Sequence, residues 1–247
     1  FFPLKNADGS QRSDAGVLAI NHEYINPEYF YAPGSDPANW MNPFTFEKAK
    51  KAQAAHGVSI VEVRRKADAT WEYLRSSPYN RRITAYTAML MTGPAAGNDL
   101  LKTSADPTGT RALGTANNCA NGVTPWGTYL TCEENFNGYF GWNGPRTASA
   151  LENRYGLAQG GFGYRWHEVD PRWDVNATPN EPNRFGWVVE IDPYDAGSTP
   201  KKRTALGRFK HENAALVVAA NGKVVVYLGD DERNEYIYKF VSAAAYD

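Results

Sequence analysis

Short runs rich in Val, Ile, Tyr and Trp, each fenced by Gly, Asn, Asp or Pro, recur along this chain and leave room for little helix. Branched and aromatic side chains suit a pleated, half-buried surface, and the fencing residues suit tight turns. Eight runs stand out, at 16–21, 58–63, 71–74, 128–132, 186–192, 214–219, 223–228 and 236–241. They predict an all-β fold: a sandwich, a barrel or a propeller. One stretch, 46–56, interleaves Lys48, Lys50 and Lys51 with alanines ahead of Gly57 and predicts a helix.

Three of the runs share a plan that narrows this choice. Segments 16–23, 127–134 and 222–232 each open on glycine, continue as an apolar strand and close in carboxylates: Glu23 in the first, Glu133 and Glu134 in the second, Asp230, Asp231 and Glu232 in the third. The second and third also share an upstream polar loop, Asn117-Asn118-Cys119 and His211-Glu212-Asn213. Repeats of this kind suggest propeller blades, each offering a loop to a common axis. The runs at 187–193, 214–219, 223–228 and 236–241 would make one four-stranded blade, with Asn221-Gly222 as its hairpin turn. A blade takes about 40–45 residues, and 98–118 and 143–183 read as long polar insertions. The expectation is therefore a single β-propeller domain over 1–247, incomplete at both ends and supplying part of a ring.

Composition closes off other classes. With 42% hydrophobic residues the chain can bury a large core, and 26 basic against 27 acidic residues leave no field to attract nucleic acid or a membrane surface. The longest apolar run, 214–220, falls far short of the roughly 18 residues of a membrane span. The chain starts Phe1-Phe2-Pro3, with no targeting pattern ahead of the first strand, and reads as processed or cut. Two cysteines, Cys119 and Cys132, exclude a disulfide framework and allow one bridge.

Carboxylates packed at the end of a buried strand repel one another unless a cation neutralises them, so these strand ends suggest metal. Neighbours in a strand face opposite ways. Cys132 and Glu134 could share a face, or Glu133 could turn inward from the loop. Oxygen-only sites suit calcium or magnesium, whereas a thiolate favours a softer transition metal. A site joining Cys132 to carboxylates would be mixed, for example iron beside calcium. Plainer readings stand alongside: Asp230-Asp231-Glu232 as a solvated turn, Cys132 as a buried apolar thiol, His22 and His211 as structural hydrogen-bonding groups, and Trp126, Trp142, Trp166 and Trp187 as packing residues. No phosphate-binding loop, G-x-S-x-G elbow or H-E-x-x-H helix is present.

Asn21-His22-Glu23-Tyr24, the run from Asn117-Asn118-Cys119-Ala120 through Thr124-Pro125-Trp126-Gly127 to Thr131-Cys132-Glu133-Glu134-Asn135, and Gly207-Arg208-Phe209-Lys210-His211-Glu212 followed by Gly229-Asp230-Asp231-Glu232-Arg233 together resemble the PhoX-type alkaline phosphatases. The resemblance implies a secreted bacterial enzyme, periplasmic or extracellular and exported by the twin-arginine route, with a six-bladed propeller in the full protein. It implies hydrolysis of small phosphate monoesters at a site of Fe3+ and Ca2+. Carried onto this chain, Cys132 would be the iron thiolate. Glu133 and Glu212 would be carboxylate ligands, with Asn117 or Asn118, Glu23 and Asp231 as further candidates, and Arg208 or Arg233 would contact phosphate. The family's chains are longer, so the remaining part of the same polypeptide is an expected partner. Two rival functions stay open: a calcium-dependent propeller lactonase or phosphotriesterase, which needs no thiolate, and a non-catalytic propeller module holding structural calcium.

Overall fold

The computed structural model describes residues 1–26, 29–30 and 42–246. Three sheets hold its strands. The first is antiparallel and consists of β1 (Phe2–Lys5), β2 (Gln11–His22), β3 (Gly57–Arg65), β4 (Trp71–Tyr73) and β5 (Arg81–Ile83), the last two pairing in turn with opposite ends of β3. The second contains β6 (Ala88–Thr92), β7 (Arg111–Leu113), β8 (Asn118–Val123), β9 (Tyr129–Glu133), β10 (Val188–Ile191) and β11 (Lys201–Arg203), in the order β7-β6-β11-β10-β9-β8. In it β6 and β11 run parallel and the other neighbours antiparallel. The third is a meander of β12 (Ala215–Val218), β13 (Lys223–Gly229) and β14 (Ile237–Ala245). Every run expected from the sequence overlaps a strand, and the structure is mostly β.

Strand parity stacks these sheets in layers. Tyr129 of β9 with Val189 and Ile191 of β10 pack against Phe2, Val17, Val58 and Ile60 of the first sheet. Leu130, Cys132 and Val188 point the other way, onto Val226 and Leu228 of the third. The middle sheet is thus buried on both faces, which is why Trp187, Val188 and Val189 are apolar in succession rather than alternating with polar residues. That burial also corrects the expected C-terminal blade. β10 leaves the company of β12 to β14 and pairs with β9 and β11, because a strand apolar on both faces needs a neighbour sheet on each side.

The Asn221-Gly222 turn forms as expected. Gly222 N–H donates to Ala219 O and Ala219 N–H to Lys223 O, with Gly222 at φ 77°, a left-handed position that suits glycine.

The helix also forms, as α1 (Phe46–Ala55), capped by the Thr45 hydroxyl accepting from Lys48 N–H. Its buried Ala49 and Ala52 pack on an aromatic cluster that includes Trp142 and Trp166, two of the tryptophans expected to pack. Phe136, Tyr139, Phe140, Trp142, Trp166, Trp173 and Phe185 fill it, with Tyr139 stacked on Tyr164 and Trp166 at 4.5 and 4.7 Å between ring centres. Segment 143–183, which read as a polar insertion, therefore supplies two of the largest core side chains. Among the described residues no helix is long and apolar enough to cross a membrane.

Candidate metal centre

The three sheets bring their strand ends to one place. Glu23 follows β2, Glu134 follows β9 and Asp231 follows β13. They meet Cys119 of β8 and Glu212 in two groups, Glu23 with Cys119 and Glu134, and Glu134 with Glu212 and Asp231; within each, the possible ligand atoms lie within 4.8 Å of one another. Glu134 belongs to both.

Backbone and amide contacts set this convergence. Asn21 Nδ2 donates to Cys119 O (3.0 Å) and Ala120 O (3.2 Å), while its Oδ1 accepts from the hydroxyls of Tyr129 and Thr131, so one side chain ties β2 to β8 and β9. Ala120 N–H donates to Glu212 O, joining β8 to the lead into β12. Gly122 lets these segments touch: a Cβ there would sit 2.0 Å from Ala214 O. Asn117, at φ 52°, accepts from Glu134 N–H through its carbonyl and from Asn135 N–H through its side chain, and fixes the end of β9.

The electrostatics are one-sided. Burial first, then a hydrogen bond with Asp231 and the charges of Glu212, Asp231 and Glu23, push the Glu134 carboxyl up to about 8. Burial and Glu212 also raise Glu23. The Cys119 thiol donates to Glu212 Oε1 at 3.3 Å, and burial, then that bond and the surrounding carboxylates, raise it. None of the groups acting on Glu134 is a cation. Four acids gathered at one place, Glu134 buried, Glu23 and Glu212 half-buried and Asp231 exposed, with no cation paired to Glu134 among the described residues, fit cation binding. The donors divide accordingly: the group containing Cys119 offers sulfur with oxygen, and the other oxygen alone.

Of the residues expected from the sequence, Glu23, Glu212 and Asp231 are brought together here. Cys132 is not among them. It lies beneath the cluster, wholly buried with Leu130, Val188, Phe209 and Val226, where burial, then Cys119, Glu133 and Glu212, raise its thiol. The thiol within ligand distance of the acids is Cys119, and both cysteines are free. Glu133 points to the other face of β9 and is paired with Lys202. Asn118 is fully buried; its Nδ2 donates to Thr115 Oγ1, while its Oδ1 has no partner. Arg208 is spent on structure: Nε and Nη2 donate to Phe185 O and Pro182 O at 2.8 Å, and the guanidinium stacks on Tyr155 and Phe136. Burial lowers it to about 10. Arg233 is exposed two residues beyond Asp231. His22 and His211 are hydrogen-bonded to Ser59 Oγ and Gly207 O, consistent with the structural reading. Glu232 pairs with Lys210, and Trp142, Trp166 and Trp187 are buried.

From the sequence Cys119 has no part beyond a possible disulfide, and Glu133 rather than Glu134 is the expected ligand. Alternation along β9 puts Cys132 and Glu134 on one face and Glu133 on the other, as the structure has them.

Comparison with known proteins identifies relatives of this arrangement. A family model described as "Alkaline phosphatase PhoX" matches residues 1–247. A solved structure described as Pseudomonas fluorescens PhoX in complex with vanadate, a transition state analogue, is 51% identical with a TM-score of 0.89. The match covers 96% of this chain and 40% of that one, so the chain spans about two fifths of the length of this solved relative. No curated protein matches.

Proposed function

As the chain belongs to the PhoX alkaline phosphatase family, we propose that its strand-end cluster is one wall of a metal-dependent phosphatase site acting on small phosphate monoesters. The observation that carries this reading is Glu134, a buried carboxyl shared by two ligand groups and raised by burial and by the charges of Glu212, Asp231 and Glu23. Glu23, Cys119 and Glu134 would hold a transition metal such as Fe3+, and Glu134, Glu212 and Asp231 a hard cation such as Ca2+. Such cations, when bound, offset the charge of the phosphoryl transition state and polarise its oxygens. The chain's own part is to present deprotonated ligands in a fixed array. Glu134 gives up its proton to do so, and Asn21 and Asn117 hold the strand ends that carry the acids. Arg233, exposed two residues beyond Asp231, would contact phosphate, whereas the Arg208 guanidinium is bonded to Phe185 O and Pro182 O.

The architecture supports a finer reading, that the three stacked sheets are successive blades of a propeller whose ring other parts of a longer polypeptide complete. The inner face of the third sheet is packed, yet its outer face leaves Val217, Tyr227, Ile237 and Val241 exposed. An apolar sheet face of this kind suits a further blade. Family membership carries the additional proposal of export to the bacterial periplasm or beyond.

The test is hydrolysis of p-nitrophenyl phosphate by the full-length protein before and after chelation, with metals counted by mass spectrometry. Activity should vanish with the metal and return with iron and calcium. Undiminished activity in the metal-free protein would overturn the proposal, and calcium without iron would favour a site that does not use Cys119.

A further inference from the structure

Across β9 from the cluster lies a second charged group, Lys202 with Glu133. Both side chains are 0% exposed, with Nζ 2.7 Å from Oε1. Two ions withdrawn from water each cost several kcal/mol to desolvate, and an apolar pair of similar volume often serves stability as well. The surroundings offset that cost with further bonds. Lys202 Nζ also donates to Arg184 O at 2.7 Å and lies 4.1 Å from the centre of the Phe185 ring, while Glu133 Oε2 accepts from Trp187 N–H at 3.0 Å.

What these contacts fix is one residue's backbone, and three cluster residues hang from it. Glu133 N–H donates to Trp187 O, and Glu133 O accepts from His211 N–H at 3.0 Å. His211 is flanked by Lys210, whose carbonyl accepts from Asp231 N–H, and by Glu212, whose N–H donates to Gly229 O. The next residue along β9 is Glu134 itself. Lys202 touches none of the acids in the cluster, yet it secures the junction from which Glu134, Glu212 and Asp231 take their places.

We infer that Lys202, through Glu133, is a positioning residue for the cation cluster, setting the spacing of Glu134, Glu212 and Asp231 and thereby the affinity for metal. The inference rests on the metal-site reading above. Mutually repelling carboxylates spread unless something rigid holds them, and a doubly bonded buried carboxylate at the strand's last residue is rigid.

The experiment compares wild type, Lys202→Met and the double variant Lys202→Met with Glu133→Gln, each in the full-length protein. Metal affinity is read by competition with a chromogenic chelator, and stability separately by urea unfolding of the metal-free form. Lys202→Met alone leaves a buried carboxylate unpaired and should lower both. The double variant leaves no charge unpaired, so its stability should return toward wild type while its metal affinity stays about 10- to 100-fold down, as for other outer partners of metal ligands. Wild-type affinity in the folded double variant would show the pair to be structural only and overturn the inference. If Lys202→Met does not fold, the double variant decides alone. A wild-type protein that takes up no metal would instead overturn the metal-site reading.

Discussion

Glu133 and Glu134 are adjacent in sequence and chemically identical, and the fold gives them opposite fates. Glu133 turns to the face of β9 where Lys202 waits, and is neutralised inside the protein. Glu134 turns to the face where Asp231, Glu212 and Glu23 converge, and among the described residues no cation pairs with it. The first arrangement is complete as it stands. The second becomes stable with a proton or a metal ion. A buried charge that the chain neutralises itself serves the fold, and one that it leaves for a cation serves a site.

The largest effect should come from exchanging those fates. Glu133→Ala strands a fully buried ammonium and should cost about 3–5 kcal/mol, read by urea unfolding of the metal-free protein. Glu134→Gln should leave that stability equal or higher, because it relieves repulsion, while metal content by mass spectrometry falls. Equal stability losses in the two variants would break the comparison.

The next effect is on pH. Without metal, Glu134 holds its proton up to about 8 in the folded chain, whereas an unfolded glutamate releases it near the ordinary value of about 4.3. The folded state then binds more protons between those limits, so stability is full at the acid end and is lost as pH rises through 8. The buried His56 and His211, lowered to about 4 chiefly by burial, act in the opposite sense and only below pH about 6.5. Unfolding of chelated protein from pH 6.5 to 8 isolates the carboxyl effect: the melting temperature should fall across this window, and metal should flatten the slope. A melting temperature that rises with pH in chelated protein would remove the case for a protonated Glu134.

The smallest effect separates the two cysteines. Cys132→Ala removes one buried sulfur from an apolar cluster and should cost about 1 kcal/mol with metal content unchanged. Cys119→Ser should change stability by less than about 0.5 kcal/mol but lose the softer metal while keeping the harder one. Retention of transition metal by Cys119→Ser, or its loss in Cys132→Ala, would return the thiol ligand to Cys132.

Much of this was legible in residue order. The eight apolar runs became strands, Asn221-Gly222 became a turn, and Glu23, Glu212 and Asp231 came together as the repeated acidic strand ends implied. The rest depended on partners remote in sequence. The β10 run reads as a partner of the strands that follow it, since nothing local says that β9, more than fifty residues earlier, is its neighbour. In the aromatic core of 135–185 Trp142 and Trp166 are legible as packing residues, but that they join Phe136, Tyr139, Phe140, Trp173 and Phe185 is not, because the rings are spaced irregularly, without the period of a strand or helix.

Sequence by itself determined the strands, their acidic ends and the parity along β9, because these follow from alternation and turn chemistry within a few residues. Tertiary structure alone decided that Cys119 rather than Cys132 meets the acids, and that Lys202, 69 residues beyond Glu133, supplies that carboxylate's counter-charge. Parity states which residues share a face. What that face meets is set by the sheet packed against it, and in an interior of low dielectric that neighbour decides whether a carboxylate is an anchor or a ligand.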